Sequence, residues 1–239
     1  MALWQMDAAK KMEELLSGFL VIESLSYSGS LLEPNTLDAF SDVDMVIRLS
    51  TNAALDQKRL LCIISDQLCG VFGHELFLGD TKDTLRICLE NGWRFDLTFA
   101  YPMPKKTEFR DVSAEDRIDS VIHPFWFAAA MVLAKHGRKD HLVAAHLALE
   151  MCQLTIVVQM LVRDKTKRTD RHRFGDGEDV PILRSLARME GGILDLLYQA
   201  AEQMDTLCEL FALGYPKRTG QLRAMNISDY SLTVAPFRI

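Results

Sequence analysis

Two acidic residues stand two apart in an apolar, β-branched run, Ser41-Asp42-Val43-Asp44-Met45-Val46-Ile47, and a Gly29-Ser30 pair lies upstream of them across residues 31–41. Side chains alternate faces along a strand, so Asp42 and Asp44 share one face, while Val43, Met45 and Ile47 share the other and can meet a core. Carboxylates held side by side repel each other and take up protons or a divalent cation. A hard ion such as Mg²⁺ needs oxygen ligands and would bring a nucleotide phosphate with it. A Gly-Ser turn suits such a phosphate. With no side chain in the way, the backbone N–H groups of Gly29 and Ser30 can approach it closely, and the Ser30 hydroxyl adds a donor. The plain alternative is two solvated carboxylates on an edge strand, near an ordinary turn.

A third carboxylate comes from a predicted hairpin. Asn91-Gly92 separates two strand patterns, Thr84–Glu90 and Trp93–Ala100. Asn-Gly between strands is the strongest short hairpin signal, because a two-residue turn needs positive φ at both central positions. Trp93, Phe95, Leu97 and Phe99 alternate with Arg94, Asp96 and Thr98. Asp96 therefore belongs to the polar face, away from the core.

Gly29-Ser30, Asp42 and Asp44 resemble the mark of the nucleotidyltransferase superfamily, which is Gly-Ser, a loop of about ten residues, then Asp-x-Asp on a strand. The chain looks most like the antibiotic-modifying adenylyltransferases of the streptomycin 6-adenylyltransferase or lincosamide type. The motif resemblance covers roughly residues 20–100. It implies a mixed β-sheet flanked by helices. It also implies a site in which Asp42, Asp44 and Asp96 hold Mg²⁺, two ions in such sites lying about 3.5–4 Å apart. Gly29 and Ser30 would then hold the β- and γ-phosphates of ATP or another nucleoside triphosphate. Asp42 and Asp44 would bridge the ions, and Asp96 would hold the ion nearest the acceptor. Many members carry an Arg and a second Gly soon after the Gly-Ser, whereas this chain has Leu31-Leu32-Glu33-Pro34-Asn35.

An acceptor hydroxyl needs a base, and two residues qualify. One is Asp96. The other is Glu150, which lies one helical turn after His146 among Ala, Leu and Val, with Gln153 close by. Apolar surroundings would raise its pKa into a useful range by desolvation. In some antibiotic nucleotidyltransferases a Glu of the helical domain is the base. A surface Glu paired with a neighbour is the equal alternative. Lys165, Lys167, Arg168, Arg171, His172 and Arg173 follow that helix and could meet a triphosphate, but charges after a helix C-terminus more commonly just complement its dipole. Asp176, Glu178 and Asp179 could line a pocket for amines or cap the next helix. Trp93 and its alternating aromatic neighbours are read as core.

Positioning these residues takes a sheet in the first half of the chain. A helix is expected over Trp4–Ser17, with Gly18 as its left-handed stop, and a strand over Phe19–Tyr27. The aspartate strand runs on to Leu49. A helix capped by Thr51 or Asn52 reaches about Cys69, its stripe being Leu55, Leu60, Leu61, Ile64 and Leu68. Gly70–Gly73 breaks it, and His74–Leu78 is a short strand. After Pro102, Pro104, Lys105 and Lys106 the periodicity becomes helical. Helices are expected from Pro124 to Gly137, from an Asp140 cap to about Arg163, from Asp179 and Pro181 to about Met189, and over Ile193–Leu213. Nothing is assigned over Tyr215–Ile239. The fold class is α+β, with a catalytic domain over 1–108 and a helical, acceptor-binding bundle over 109–239.

The 239 residues, 49% hydrophobic and 25% charged, can bury a sizeable core. A net charge of −6 argues against nucleic acid held by phosphate neutralisation and suits a cationic acceptor. The five cysteines form no metal-ligand spacing and read as reduced core thiols. The longest unbroken apolar run, Pro124–Ala134, is too short to span a bilayer. With no apolar leader near the start, a cytoplasmic protein without a membrane partner is expected. A homodimer that completes the cleft is compatible with this organisation. The leading function is transfer of AMP, or another NMP, to a hydroxyl of a small antibiotic. The competitors are a toxin–antitoxin-type enzyme that modifies a partner protein and a non-catalytic nucleotide-binding protein. The helical half counts against the first of these, and the three carboxylates count against the second.

Overall fold

The computed structural model describes residues 4–33, 37–51, 56–105, 114–167 and 192–231. The chain divides into two compact units, Met1–Arg110 with Val234–Ile239, and Asp111–Thr233.

The first unit holds α1 (Trp4–Leu16), β1 (Ile22–Ser28), a 3-10 turn (Gly29–Leu31), β2 (Val43–Leu49), α2 (Gln57–Gln67), β3 (Val71–Phe77), β4 (Lys82–Leu89) and β5 (Arg94–Ala100). The five strands form one sheet in the order β1-β2-β5-β4-β3. β2 and β5 run parallel, and every other neighbouring pair is antiparallel. The period-two pattern decides which face is covered. Val43, Met45, Ile47 and Leu49 of β2 and Phe95, Leu97 and Phe99 of β5 are buried, with Leu85, Ile87 and Leu89 of β4. Ala8, Ala9, Met12, Leu15 and Leu16 of α1 and Leu60 and Ile64 of α2 complete that core. Removing a buried ring such as Phe95 would forfeit about 3–5 kcal/mol. The opposite face carries the polar residues.

Several local expectations shift. α1 ends without a left-handed Gly18; its last turn is closed by the Ser17 hydroxyl, which donates to the Glu13 carbonyl at 2.7 Å. The cap of α2 is Asp56, whose carboxylate accepts from Arg59 N at 3.0 Å, in place of Thr51 or Asn52. Leu55 lies outside the described residues. β3 starts at Val71, and Gly73 sits at a register shift inside the strand and does not break the chain. At the hairpin only Gly92 has positive φ, +85°. Gly92 N donates to Leu89 O (2.9 Å), Leu89 N to Trp93 O (2.8 Å), and Trp93 N to Asn91 Oδ1 (3.1 Å). This is a three-residue loop ending in a left-handed glycine, the next commonest hairpin after the two-residue one.

Asp83, only 2% exposed, locks the far end of the sheet. Its carboxylate accepts from Tyr101 Oη at 2.5 Å, from Lys105 Nζ at 2.7 and 2.8 Å, and from Gly79 N at 3.2 Å. Three donors, one of them the Lys105 cation, around one buried carboxylate tie the chain leaving β5 to the β3–β4 loop. Asp83→Ala is expected to destabilise the protein by about 2–3 kcal/mol, read by urea unfolding, because it leaves three donors without their acceptor.

The second unit is helical: α3 (Ala114–Gly137), α4 (His141–Lys167), α5 (Ile193–Leu210) and α6 (Thr219–Ser231). α3 starts ten residues before Pro124, which lies inside it. The break between α3 and α4 is made by Lys139, at φ +64°, and Asp140 caps α4 through Val143 N at 3.3 Å. α5 stops short of Leu213, with Ala212 left-handed at φ +47°. α6 falls where the sequence suggests no element. Its cap is supplied from α5, where Asp205 accepts from Arg218 N (2.9 Å), Thr219 N (3.0 Å) and the Thr219 hydroxyl (2.7 Å). The helix expected over Asp179–Met189, and Arg168, Arg171, His172, Arg173, Asp176, Glu178 and Asp179, lie outside the described residues.

Arg117–Gly137 and His141–Thr166 are long and apolar enough to cross a bilayer by length and composition, with mean hydropathies of 1.2 and 1.6; 67% and 28% of those windows are buried within the protein. Counting only unbroken apolar runs misses them, because single polar residues such as Glu150 interrupt a run without lowering its average much. None of the five cysteines forms a disulfide, and Cys62 is exposed where a core position was expected.

Candidate active site

Strand register brings the acidic residues together. Ser28 pairs with Asp44, Asp44 with Asp96, Asp96 with Arg86, and Arg86 with Glu75. These five residues form one row across the whole sheet on its polar face. Directly opposed side chains lie close enough to interact, so the row behaves as a connected charge network. Asp44 and Asp96 meet because β2 and β5 are parallel neighbours. Asp42, the residue just before β2, meets Arg94, the first residue of β5.

The carboxylates have different partners. Arg94 Nε donates to Asp42 Oδ1 at 2.9 Å. Arg86 Nε lies 3.1 Å from both oxygens of Asp96, and its guanidinium lies 3.6 Å from Glu75. Among the described residues, Asp44 has no such cation of its own. Its half-buried carboxyl is pushed up from 3.8 to about 6, first by burial, then by the charges of Asp96 and Asp42, with Arg86 opposing.

Gly29 presses on the same group. It opens the 3-10 turn at φ +61°, and a Cβ built there would lie 2.2 Å from Asp44 Oδ2 and 2.9 Å from its Cγ. Only glycine lets the backbone sit so near that carboxylate. Ser30 follows in the same turn, with Leu32 N donating to Gly29 O at 3.1 Å and Glu33 N to Ser30 O at 3.2 Å.

The approach to Asp42 is held from α1 and from the hairpin tip. Trp4 Nε1 donates to Ala39 O at 3.0 Å, and Gln5 Nε2 donates to Asp38 O and Ser41 O at 2.7 and 3.0 Å. Asp38 Oδ1 accepts from Phe40 N and the Ser41 hydroxyl, forming a tight turn before the strand. Arg94 adds bonds to Gly92 O at 3.2 Å and Ala39 O at 3.4 Å. Trp93 is half-buried, packs against the edge of the core, and stacks on Trp4 with centroids 6.4 Å apart.

A divalent cation fits the donor chemistry of this face. The ligands are hard oxygens, and a cation would offset both the burial and the neighbouring charges of Asp96 and Asp42 that raise the Asp44 carboxyl. Among the described residues no three His, Cys, Asp or Glu side chains form a ready-made cage, and Asp42 and Asp96 each hold an arginine.

Glu150 lies on α4 in the other unit. It is half-buried, on the side of the helix where His146, Leu149 and Gln153 are exposed, and so is less enclosed than its apolar sequence neighbours suggest. Lys165, at the end of α4, is exposed. The sequence reading assigned no part to Arg86, Arg94, Trp4 or Gln5. One signal was available for Arg94: Arg94-x-Asp96 repeats the spacing of Asp42-x-Asp44, as two parallel strands in register require.

No family model and no curated protein matches the sequence. Among solved structures, the chain is similar to an aminoglycoside 6-adenyltransferase from Bacillus subtilis, at 12% identity and a TM-score of 0.34, over 96% of this chain and 99% of that one. It is also similar to a STING-associated CdnE c-di-GMP synthase from Capnocytophaga granulosa, at 13% identity and a TM-score of 0.28, over 95% of this chain and 79% of that one.

Proposed function

We propose that the protein is a Mg²⁺-dependent nucleotidyltransferase that moves AMP, or another NMP, from a nucleoside triphosphate to a hydroxyl of a small antibiotic, an aminoglycoside or a lincosamide. One observation carries this reading: Asp44 and Asp96 are direct neighbours on the polar face of two parallel strands, with Asp42 immediately before the first strand and the Gly29 backbone packed against Asp44. A sheet that needed only stability would gain nothing from this, because adjacent like charges destabilise it.

In the reaction, the acceptor oxygen attacks the α-phosphorus. The new O–P bond forms as the bond to the β-phosphate oxygen breaks, and pyrophosphate leaves with the electron pair. A bound divalent cation would neutralise charge on the phosphates and polarise the attacked group, held by Asp44 with Asp42 and Asp96. Gly29 and Ser30 receive the β- and γ-phosphates beside Asp44. The acceptor proton passes to a base, Asp96 or Glu150. At Asp96 a proton must compete with Arg86 for both oxygens. The net charge of −6 suits a cationic acceptor.

The test is pyrophosphate release with Mg²⁺ and each of the four nucleoside triphosphates, against a panel of aminoglycosides, lincosamides and a protein lysate, with products read by mass. A nucleotide adduct on one antibiotic is the expected result. An adduct on a protein band would transfer the reading to partner modification, and no triphosphate binding at all would overturn it. Glu150→Gln should then lower kcat by about 10²–10⁴-fold. An unchanged kcat would return the base to Asp96.

A further inference from the structure

We infer that Arg94 is a positioning residue for Asp42, fixing the carboxylate so that one defined oxygen is presented to a divalent cation. The inference rests on the nucleotidyltransferase reading and assigns a part to a residue outside the three carboxylates.

The geometry is that of a brace. Arg94 is 3% exposed, and its guanidinium is committed in every direction. Nε holds Asp42 Oδ1, Nη1 holds Gly92 O at the hairpin tip, Nη2 holds Ala39 O in the loop before Asp42, and the group lies 5.5 Å from the centre of the Trp4 ring. A planar fork with several fixed donors orients what it binds, as a point-charge ammonium does not. Ala39 O is shared with Trp4 Nε1 at 3.0 Å, so the brace reaches α1. Asp42 remains 20% exposed at the side chain, and its Oδ2 accepts no hydrogen bond among the described residues. The pair thus consumes one oxygen and leaves the other for a ligand. Hydrogen bonds that orient metal-binding carboxylates act in this way in other sites, and losing one typically lowers metal affinity about 10–100-fold.

Charge and positioning predict opposite signs. As a mere positive charge beside Asp42, Arg94 opposes a second cation, and its removal should tighten cation binding. As a brace it aids binding, and its removal should weaken it. The experiment is a Mn²⁺ titration followed by electron paramagnetic resonance, with a non-hydrolysable nucleoside triphosphate, on wild type, Arg94→Lys and Arg94→Met. Both variants are expected to bind Mn²⁺ at least about tenfold more weakly. In turnover they should lose kcat while the acceptor KM stays within about twofold, since Arg94 touches no acceptor. Lysine should not rescue, because it keeps the charge and loses the fork. Trp4→Phe, which removes the donor to Ala39 O and keeps an aromatic ring beside Arg94 and Trp93, should weaken Mn²⁺ about threefold in a protein that still folds, and it decides the matter if the Arg94 variants do not fold. Equal or tighter Mn²⁺ binding in folded variants overturns the inference. Absence of any Mn²⁺ or triphosphate binding by wild type would instead overturn the function on which it rests.

Discussion

Asp44→Asn is expected to abolish transfer and, in the same protein, to raise its stability. The loss should be at least about a thousandfold in kcat, since the change removes the carboxylate that Gly29, Asp42 and Asp96 surround, and with it the charge that would hold a cation. The gain follows from the raised carboxyl. With the folded value at about 6 against 3.8, the folded protein keeps a proton on Asp44 over a range in which the unfolded chain has released it. Stability from this group is fully present below about pH 4 and is lost as pH rises through about 6. At neutral pH the ionised, half-buried Asp44 therefore costs about 1–2 kcal/mol, after discounting for its partial exposure. Asn keeps the shape and drops the charge. Urea unfolding at pH 7.5 should show the variant more stable by about that amount, with a flatter profile between pH 4 and 7. Divalent cation should raise the wild-type midpoint and leave the variant where it is. A folded Asp44→Asn protein that turns over normally would sink the site assignment. One that is less stable than wild type would sink the account of the charge cluster.

Gly29→Ala should be the second most damaging small change. Two effects coincide at this position. Alanine at φ +61° is strained by about 1–2 kcal/mol, and its Cβ would overlap Asp44 Oδ2 at 2.2 Å. The carboxylate or the turn must move, and a displacement of about 1 Å at the reacting centre can cost about a hundredfold in rate. Gly92→Ala provides the control. Gly92 has φ +85° with nothing within 4 Å of its would-be Cβ, so it carries the strain without the collision. The expected result is a loss of stability of about 1–3 kcal/mol in both variants, the larger in Gly29→Ala, and loss of activity only in Gly29→Ala. Combining Gly29→Ala with Asp44→Ala should recover part of the stability loss, because the group in the way is gone. Equal activity in the two glycine variants would mean that the contact with Asp44 has no part in the chemistry.

Some of this was present in local pattern. Period-two alternation places Asp42 and Asp44 on one face of β2, and Asp96 and Arg94 on one face of β5, because strand geometry needs no partner to define its two faces. The switch to helical periodicity after residue 113 marks the second unit for the same reason. Caps and turn forms were less legible. Asp56 displaced Thr51 and Asn52, and a single left-handed Gly92 replaced a two-residue turn, since several neighbouring residues satisfy the same local rule and packing chooses among them. α6 escaped notice because its cap, Asp205, is supplied from another helix.

The strand neighbours were decided only by the tertiary structure. Alternation tells which face a residue takes but not which strand lies beside it, and β2 and β5 are separated by some fifty residues of chain. Their parallel pairing puts Asp44 beside Asp96 and Asp42 beside Arg94, and the antiparallel pairing of β4 brings Arg86 to Asp96. The identities of the acidic residues were therefore written in the sequence, whereas their charge state, their arginine partners and the glycine pressed against one of them follow from non-local register, which no local pattern encodes.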